Sequence, residues 1–298
     1  MESALLVPSG TMGNFLGLLM HCQRGDEILI GDYSHVYCNE QANWATLGGV
    51  AAKPLPTNSD GTISIDTIRS AILPENIHHA NQKLIVIENT HNQCGGRVLT
   101  PEYLHQVNDL AREQGLLFHI DGARYFNAYY ALKAKRPELT VADMVGGADS
   151  VNICFSKGLS CPVGSVLIGT DKDIYLAKRW RKAVGGGMRQ AGLLAAAADF
   201  ALDASEEIMT KDHEHAQILR AGLADLGCTV HDVETNIVMF GHEKFTVNEF
   251  VAKLKGAGVL VKPILYGGGN VRAVLNSGVT SSDVELALER FKSVINLQ

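Results

Sequence analysis

Two apolar runs in this chain end in residues able to do covalent chemistry. The run LLFHI at 116–120 is followed at once by Asp121, and SVNICF at 150–155 by Ser156, Lys157 and Gly158. Short apolar runs of this kind between helical patterns predict buried parallel strands. Ligands of open α/β sheets sit at the carboxyl ends of such strands. One crevice would then receive both an aspartate and a lysine. A lysine amine made neutral by burial or by a nearby cation forms a Schiff base with a carbonyl. Pyridoxal phosphate supplies such a carbonyl, and it needs a carboxylate to keep its ring nitrogen protonated. Asp121 and Lys157 fit those two roles. Taken alone, the pair would more simply be a salt bridge at a sheet edge, so the flanking residues decide.

Further candidates lie along the chain, and residues 4–7 are a short apolar lead into the first of them. The segment PSGTMGN at 8–14 is a small turn that opens a helix, where free backbone N–H groups and the positive dipole end suit a phosphate. Gly10 allows close approach there, and Ser9 and Thr11 offer hydroxyls. Ordinary N-capping by Ser9 or Thr11 is the competing use. His35 follows a strand at 27–30, and His91 follows the strongly apolar strand at 84–88. Imidazole titrates near neutral pH, so His91 could take the proton of a substrate hydroxyl, as could a bound water. Arg124 follows Asp121 in the turn DGAR, and its guanidinium suits a carboxylate. Ser156 stands directly before the lysine and is expected to help hold a phosphate. Arg189, in the run GGGMRQ at 185–190, suits a phosphate or a subunit interface. That run lacks the GK[ST] of a nucleotide-binding P-loop. Arg272, on a predicted strand at 271–275, needs a buried partner, and a substrate carboxylate would serve. Arg97, in a glycine turn, is expected to be structural. No metal site is expected.

These residues require an alternation of strands and helices. Helices are predicted at 65–72, 101–114, 174–181 and 191–204, the last Ala-rich and expected to be buried. Beyond 205 a long helix leads to strands at 229–233, 237–240, 259–263 and 271–275, with helices at 247–257 and 282–294. The fold class is therefore α/β: a large domain over 1–205 with a mostly parallel sheet, and a smaller C-terminal α/β domain over 206–298. The 298 residues suffice for both. A net charge of -6 argues against a general nucleic-acid binder. The six cysteines are scattered, without a CxxC pair, as in a reduced cytoplasmic protein. No run is long enough for a transmembrane helix, and the first residues lack the form of a signal peptide.

The segments PSGTMGN, ENTHNQCGGRV, HIDGARYFNA, SVNICFSKGLSCPVGSVLIG and KAVGGGMRQAG resemble, in the same order, the low-specificity L-threonine aldolases. These are pyridoxal phosphate enzymes of fold type I, like aspartate aminotransferase. The resemblance spans nearly the whole chain. It implies a carbon–carbon lyase that cleaves L-threonine and L-allo-threonine to glycine and acetaldehyde. It further implies that His35 stacks on the pyridine ring, that His91 has general-base character, and that Arg124 lies near substrate or cofactor oxygens. Arg272 would grip the amino-acid carboxylate, although Asn276 stands where the family usually has a histidine. A homodimer or homotetramer with shared active sites is implied as well. The chain opens almost on PSGTMGN, so the family's usual N-terminal segment is expected to be lacking. Another pyridoxal phosphate lyase or aminotransferase, or a truncated non-catalytic remnant, are the alternatives at this point.

Overall fold

The computed structural model describes residues 1–264 and 270–296. Its organising feature is a seven-stranded sheet in the order β1-β7-β6-β5-β4-β2-β3. The chain enters through β1 (Ser3–Val7), α1 (Gly10–Leu19), β2 (Asp26–Gly31), the short α2 (His35–Cys38) and α3 (Asn43–Thr46), and β3 (Ala51–Leu55). It continues with α4 (Ile65–Ala71), β4 (Asn81–Glu88), α5 (Pro101–Glu113), β5 (Leu117–Gly122), α6 (Tyr125–Lys133), β6 (Ser150–Cys154) and β7 (Ser165–Gly169). Strands β3, β2, β4, β5 and β6 are mutually parallel. β7 runs against β6, and β1 runs against β7. β1 therefore points the same way as β6, and its carboxyl end opens on the same edge of the sheet. The apolar lead at 4–7 is thus an edge strand, made so by its pairing with β7.

The central strands are apolar on both faces because helices cover both. Leu84, Ile85, Val86 and Ile87 are all buried. Even residues of β4 pack with α1 and β2, and odd ones pack with α4 and α5. Full burial of each such side chain contributes about 1.5–3 kcal/mol. Helix α5 follows the expected pattern: Thr100 caps its start, Pro101 occupies the first turn, and Leu104, Val107 and Leu110 face the core. Gly115 takes φ +67 just beyond its end, a conformation that favours glycine.

The rest comprises α7 (Asp171–Ala183), α8 (Gly192–Asp203), α9 (Ser205–Asp225), β8 (Thr229–Val230), β9 (Ile237–Gly241), α10 (Val247–Gly256), β10 (Lys262–Ile264), β11 (Asn270–Val274) and α11 (Ser281–Asn296). The second sheet is antiparallel, in the order β10-β11-β9-β8. It has its own core, with Leu219, Phe240, Phe250 and Phe291 at its centre. Two strands are shorter than their apolar runs: residues 232–233 and 259–261 lie outside them, although the His231 N–H still donates to Met239 O at 2.9 Å. Gly258 turns the chain at φ +81, and Leu260 then lies exposed. Helix α8 departs from expectation. It is Ala-rich but mostly exposed: Leu193 is 80% and Phe200 77% exposed, and only Ala198 and Ala201 are buried, with Leu202 packed beside them.

Candidate active site

Asp121 ends β5 and is almost wholly buried. Its Oδ1 accepts the Ala123 N–H at 3.1 Å, while Oδ2 is buried without a hydrogen-bond partner among the described residues. Burial pushes its pKa up to about 6, with the Glu88 and Glu40 carboxylates adding to the rise and Lys157 opposing it. Glu88 stands directly across from Asp121 on β4. A buried carboxyl held beside another of like charge is a site that calls for a cation.

Lys157 follows β6. Its loop is tied down by the Phe155 N–H to Gly164 O bond and the Cys161 N–H to Phe155 O bond, both 3.0 Å. Among the described residues its ammonium has no ion-pair or hydrogen-bond partner. With Ser156 it lines two cavities at once. The smaller, of about 190 Å³, is also walled by Gly10, Thr11, Asn14, His35 and Asp121. The larger, of about 470 Å³, is walled by Arg124, Asn236, Asn276 and Ser277.

At the first turn of α1, a Cβ on Gly10 would come within 2.5 Å of Cys154 Sγ. Only glycine fits that approach. Ser9 is the N-cap, its Oγ accepting the Met12 N–H at 3.2 Å, and it does not line the cavity; Thr11 does. The capping use thus falls to Ser9.

His35 lies where β2 gives way to α2, and its Nδ1 is 3.0 Å from Glu40 Oε1. That hydrogen bond raises its pKa against the opposing effect of burial, aided by Asp121 and Glu88. Glu88 ties this loop to the next: Oε2 accepts the His35 N–H at 2.6 Å, and Oε1 accepts the Asn92 N–H at 2.8 Å. Burial of Glu88 is outweighed by the His91 ring and these donors, and its pKa is lowered. The facing atoms of His35, Glu40 and Asp121 lie within 4.8 Å of one another, the single convergent group of this type among the described residues.

Arg124 and Arg272 meet at one oxygen, Asn92 Oδ1, at 3.0 and 2.7 Å. Neither has a carboxylate partner among the described residues. Burial, then the charge of Arg272, bring the Arg124 pKa down to about 10. Arg124 lines the larger cavity and Arg272 lines neither, but they share the Asn92 oxygen, and a guanidinium without a carboxylate partner suits an incoming carboxylate. His91 is buried, with both ring nitrogens unpartnered, and it lines neither cavity. Arg189 is exposed between α7 and α8 and is not brought to either cavity within one copy of the chain. Arg97 pairs with Asp232 and Glu234, a structural use. Glu40, Glu88, Asn14 and Asn92 were not singled out in the sequence. Their signal was proximity alone, since each stands within a few residues of a candidate.

The residues fit pyridoxal phosphate: an unpartnered buried carboxyl oxygen for a ring N–H, a lysine without a partner, and a glycine cradle at a helix N-terminus. Fold and site together define a pyridoxal phosphate enzyme of fold type I. The beta-eliminating lyase family model matches residues 1–244. A probable low-specificity L-threonine aldolase 2 of Arabidopsis thaliana is 42% identical, covering 99% of this chain and 84% of that protein. A low specificity L-threonine aldolase of Escherichia coli O157:H7 is 42% identical over 80% of this chain and 69% of that protein. Among solved structures, the Leishmania major threonine aldolase superposes with a TM-score of 0.80 at 20% identity, covering 98% of this chain and 84% of that one, a likeness of fold. The chain belongs to the beta-eliminating lyase family and, within it, to the low-specificity L-threonine aldolases.

Proposed function

We propose that this chain is a lyase cleaving L-threonine, L-allo-threonine and related β-hydroxy-α-amino acids to glycine and an aldehyde, which is acetaldehyde for threonine. The observation that carries this is Lys157 lining both a cavity that Asp121 walls and one that Arg124 walls, with Arg272 joined to Arg124 through Asn92. Pyridoxal phosphate, when bound, supplies the electron sink for the carbon–carbon bond that breaks. Asp121, through its unpartnered Oδ2, would hold a proton on the ring nitrogen. Lys157 would hold the cofactor through its amine and would accept and return protons at Nζ. Arg124 and Arg272 orient the amino-acid carboxylate. A bound water would take the proton of the β-hydroxyl, or His91 would, through such a water, since the His91 ring lines neither cavity. Gly10, Thr11 and Ser156 form the phosphate end.

The assembly is proposed as a homodimer or homotetramer in the cytoplasm, with Arg189 facing a second copy. Exposed apolar residues on α7 and α8 support this, Trp180, Leu193 and Phe200 among them. No helix among the described residues is long and apolar enough to cross a membrane. We take residues 1–205 and 206–298 as the two units, supported by the separate core of the second sheet.

The test is reduction of the cofactor-loaded protein with borohydride. The expected result is an absorbance shift and a covalent mass increase on the peptide carrying Lys157, both lost in Lys157→Ala. Threonine should then yield acetaldehyde from the unreduced enzyme. Production of a keto acid without acetaldehyde would assign an aminotransferase instead, and an absence of any cofactor band would sink the enzyme reading.

A further inference from the structure

The cavity at Asp121 is served by a second buried carboxylate, Glu40, which the mechanism above does not use. Its Oε1 accepts from Asn14 Nδ2 at 3.0 Å and lies 3.0 Å from His35 Nδ1. Asn14, buried on α1, accepts at Oδ1 from Asn152 Nδ2 at 2.9 Å. Asn152, wholly buried on β6, also donates from Nδ2 to the Gly10 carbonyl at 3.1 Å. The chain crosses from β6 through α1 to the loop after α2.

Its direction is forced from one end. A backbone carbonyl only accepts, so Asn152 must turn its amide nitrogen to Gly10 and to Asn14 Oδ1. Asn14 then has only its own NH₂ to offer Glu40. As a carboxylate Glu40 only accepts, and the same oxygen faces His35 Nδ1, which must therefore supply an N–H. We propose that Glu40 is a positioning residue which, oriented by Asn152 and Asn14, holds the His35 proton on Nδ1 and leaves Nε2 for the cavity. A ring fixed at Nδ1 cannot turn about its Cβ–Cγ bond, so it presents a constant face to a planar ligand. A wall ordered in advance costs the ligand less on binding. The charged groups bearing on this imidazole are Glu40 from the loop after α2, Glu88 from the end of β4 and Asp121 from the end of β5. All are carboxylates, and they favour the protonated ring. Lys157, from the loop after β6, bears on Asp121.

The proposal does not need threonine as the substrate, and only its cofactor arm rests on the function proposed above. The test uses the full chain freed of cofactor, with histidine rings labelled with ¹⁵N. The His35 signals are identified by their loss in His35→Phe. The neutral wild-type ring should show Nδ1 protonated and Nε2 bare, with a titration midpoint above the ordinary value of about 6.5. Glu40→Gln keeps the shape and removes the charge. The proton affinity of His35 should fall about tenfold, as expected for loss of one charge-assisted hydrogen bond. The affinity for added pyridoxal phosphate, followed by absorbance, should weaken about tenfold as well. A neutral wild-type ring protonated at Nε2, an unchanged midpoint in Glu40→Gln, or unchanged cofactor affinity would each overturn the proposal. Where Glu40→Gln fails to fold in a thermal melt, Asn14→Ala decides. It should give mixed tautomers at His35, and a pure Nδ1–H pattern there would count against the chain. A wild-type protein with the expected His35 signals but no acetaldehyde production would overturn the function and leave this inference standing.

Discussion

At the scale of single residues, the site stores electrostatic cost. Asp121 keeps a pKa of about 6 in the cofactor-free protein, well above the ordinary carboxylate range, because it is buried beside Glu88. The sign of its effect on stability follows from linkage. The folded state holds this proton more tightly than the unfolded one, so stability falls as pH rises from about 4 to about 6 and stays lower above that. Asp121→Asn keeps an acceptor for the Ala123 N–H and removes the charge. We expect it to stabilise the cofactor-free protein at pH 8 by on the order of 2 kcal/mol and to change little at pH 4. Urea unfolding at the two pH values measures this. Equal stability of variant and wild type at pH 8 would mean that Asp121 is not strained. The same variant should lose cofactor-dependent activity, the usual trade between a prepared site and a stable one.

At the scale of elements, register does the assembling. Glu88, Asp121 and Asn152 stand abreast on β4, β5 and β6. They share a row because three parallel strands are in step, and α1 lies close over the last of them. Closeness is required at Gly13, where a Cβ would overlap Asn152 Oδ1. Gly13→Ala should therefore push α1 off β6. Overpacking of this kind costs about 1–3 kcal/mol. Chemical denaturation should show that loss, together with weaker cofactor binding, because Gly10, Thr11 and Asn14 ride on the same helix. Gly256→Ala, also helical and with no atom within 4 Å, is the comparison for the backbone effect alone.

For the whole molecule, the exposed faces of α7 and α8 are the notable surface. Trp180, Leu193 and Phe200 sit in water in a single copy. Burying a Leu or Phe is favourable by about 1.5–3 kcal/mol each, which gives self-association a driving force. Leu193→Glu combined with Phe200→Glu should convert the assembly to monomer, or weaken it at least tenfold, in sedimentation velocity. Unaltered sedimentation would move the interface elsewhere. Because Arg189 lies on the loop between these helices, the disruption should also reduce activity if a second copy completes the site.

The sequence by itself determined the kind of fold and the position of the reactive residues along the chain. Apolar runs ending in Asp121 and Lys157, and strand ends followed by His35 and His91, are local patterns. Local patterns are legible because burial on both faces of a parallel strand demands them. The tertiary structure alone decided which residues meet. Glu40 faces His35, Glu88 faces Asp121, and Asn92 joins Arg124 to Arg272. These contacts depend on strand order, and nothing in neighbouring residues encodes that β5 lies between β4 and β6. It also decided that β1 is an edge strand and that α8 is open to solvent. Composition alone does not separate an alanine-rich helix that packs in a core from one whose large side chains point outward.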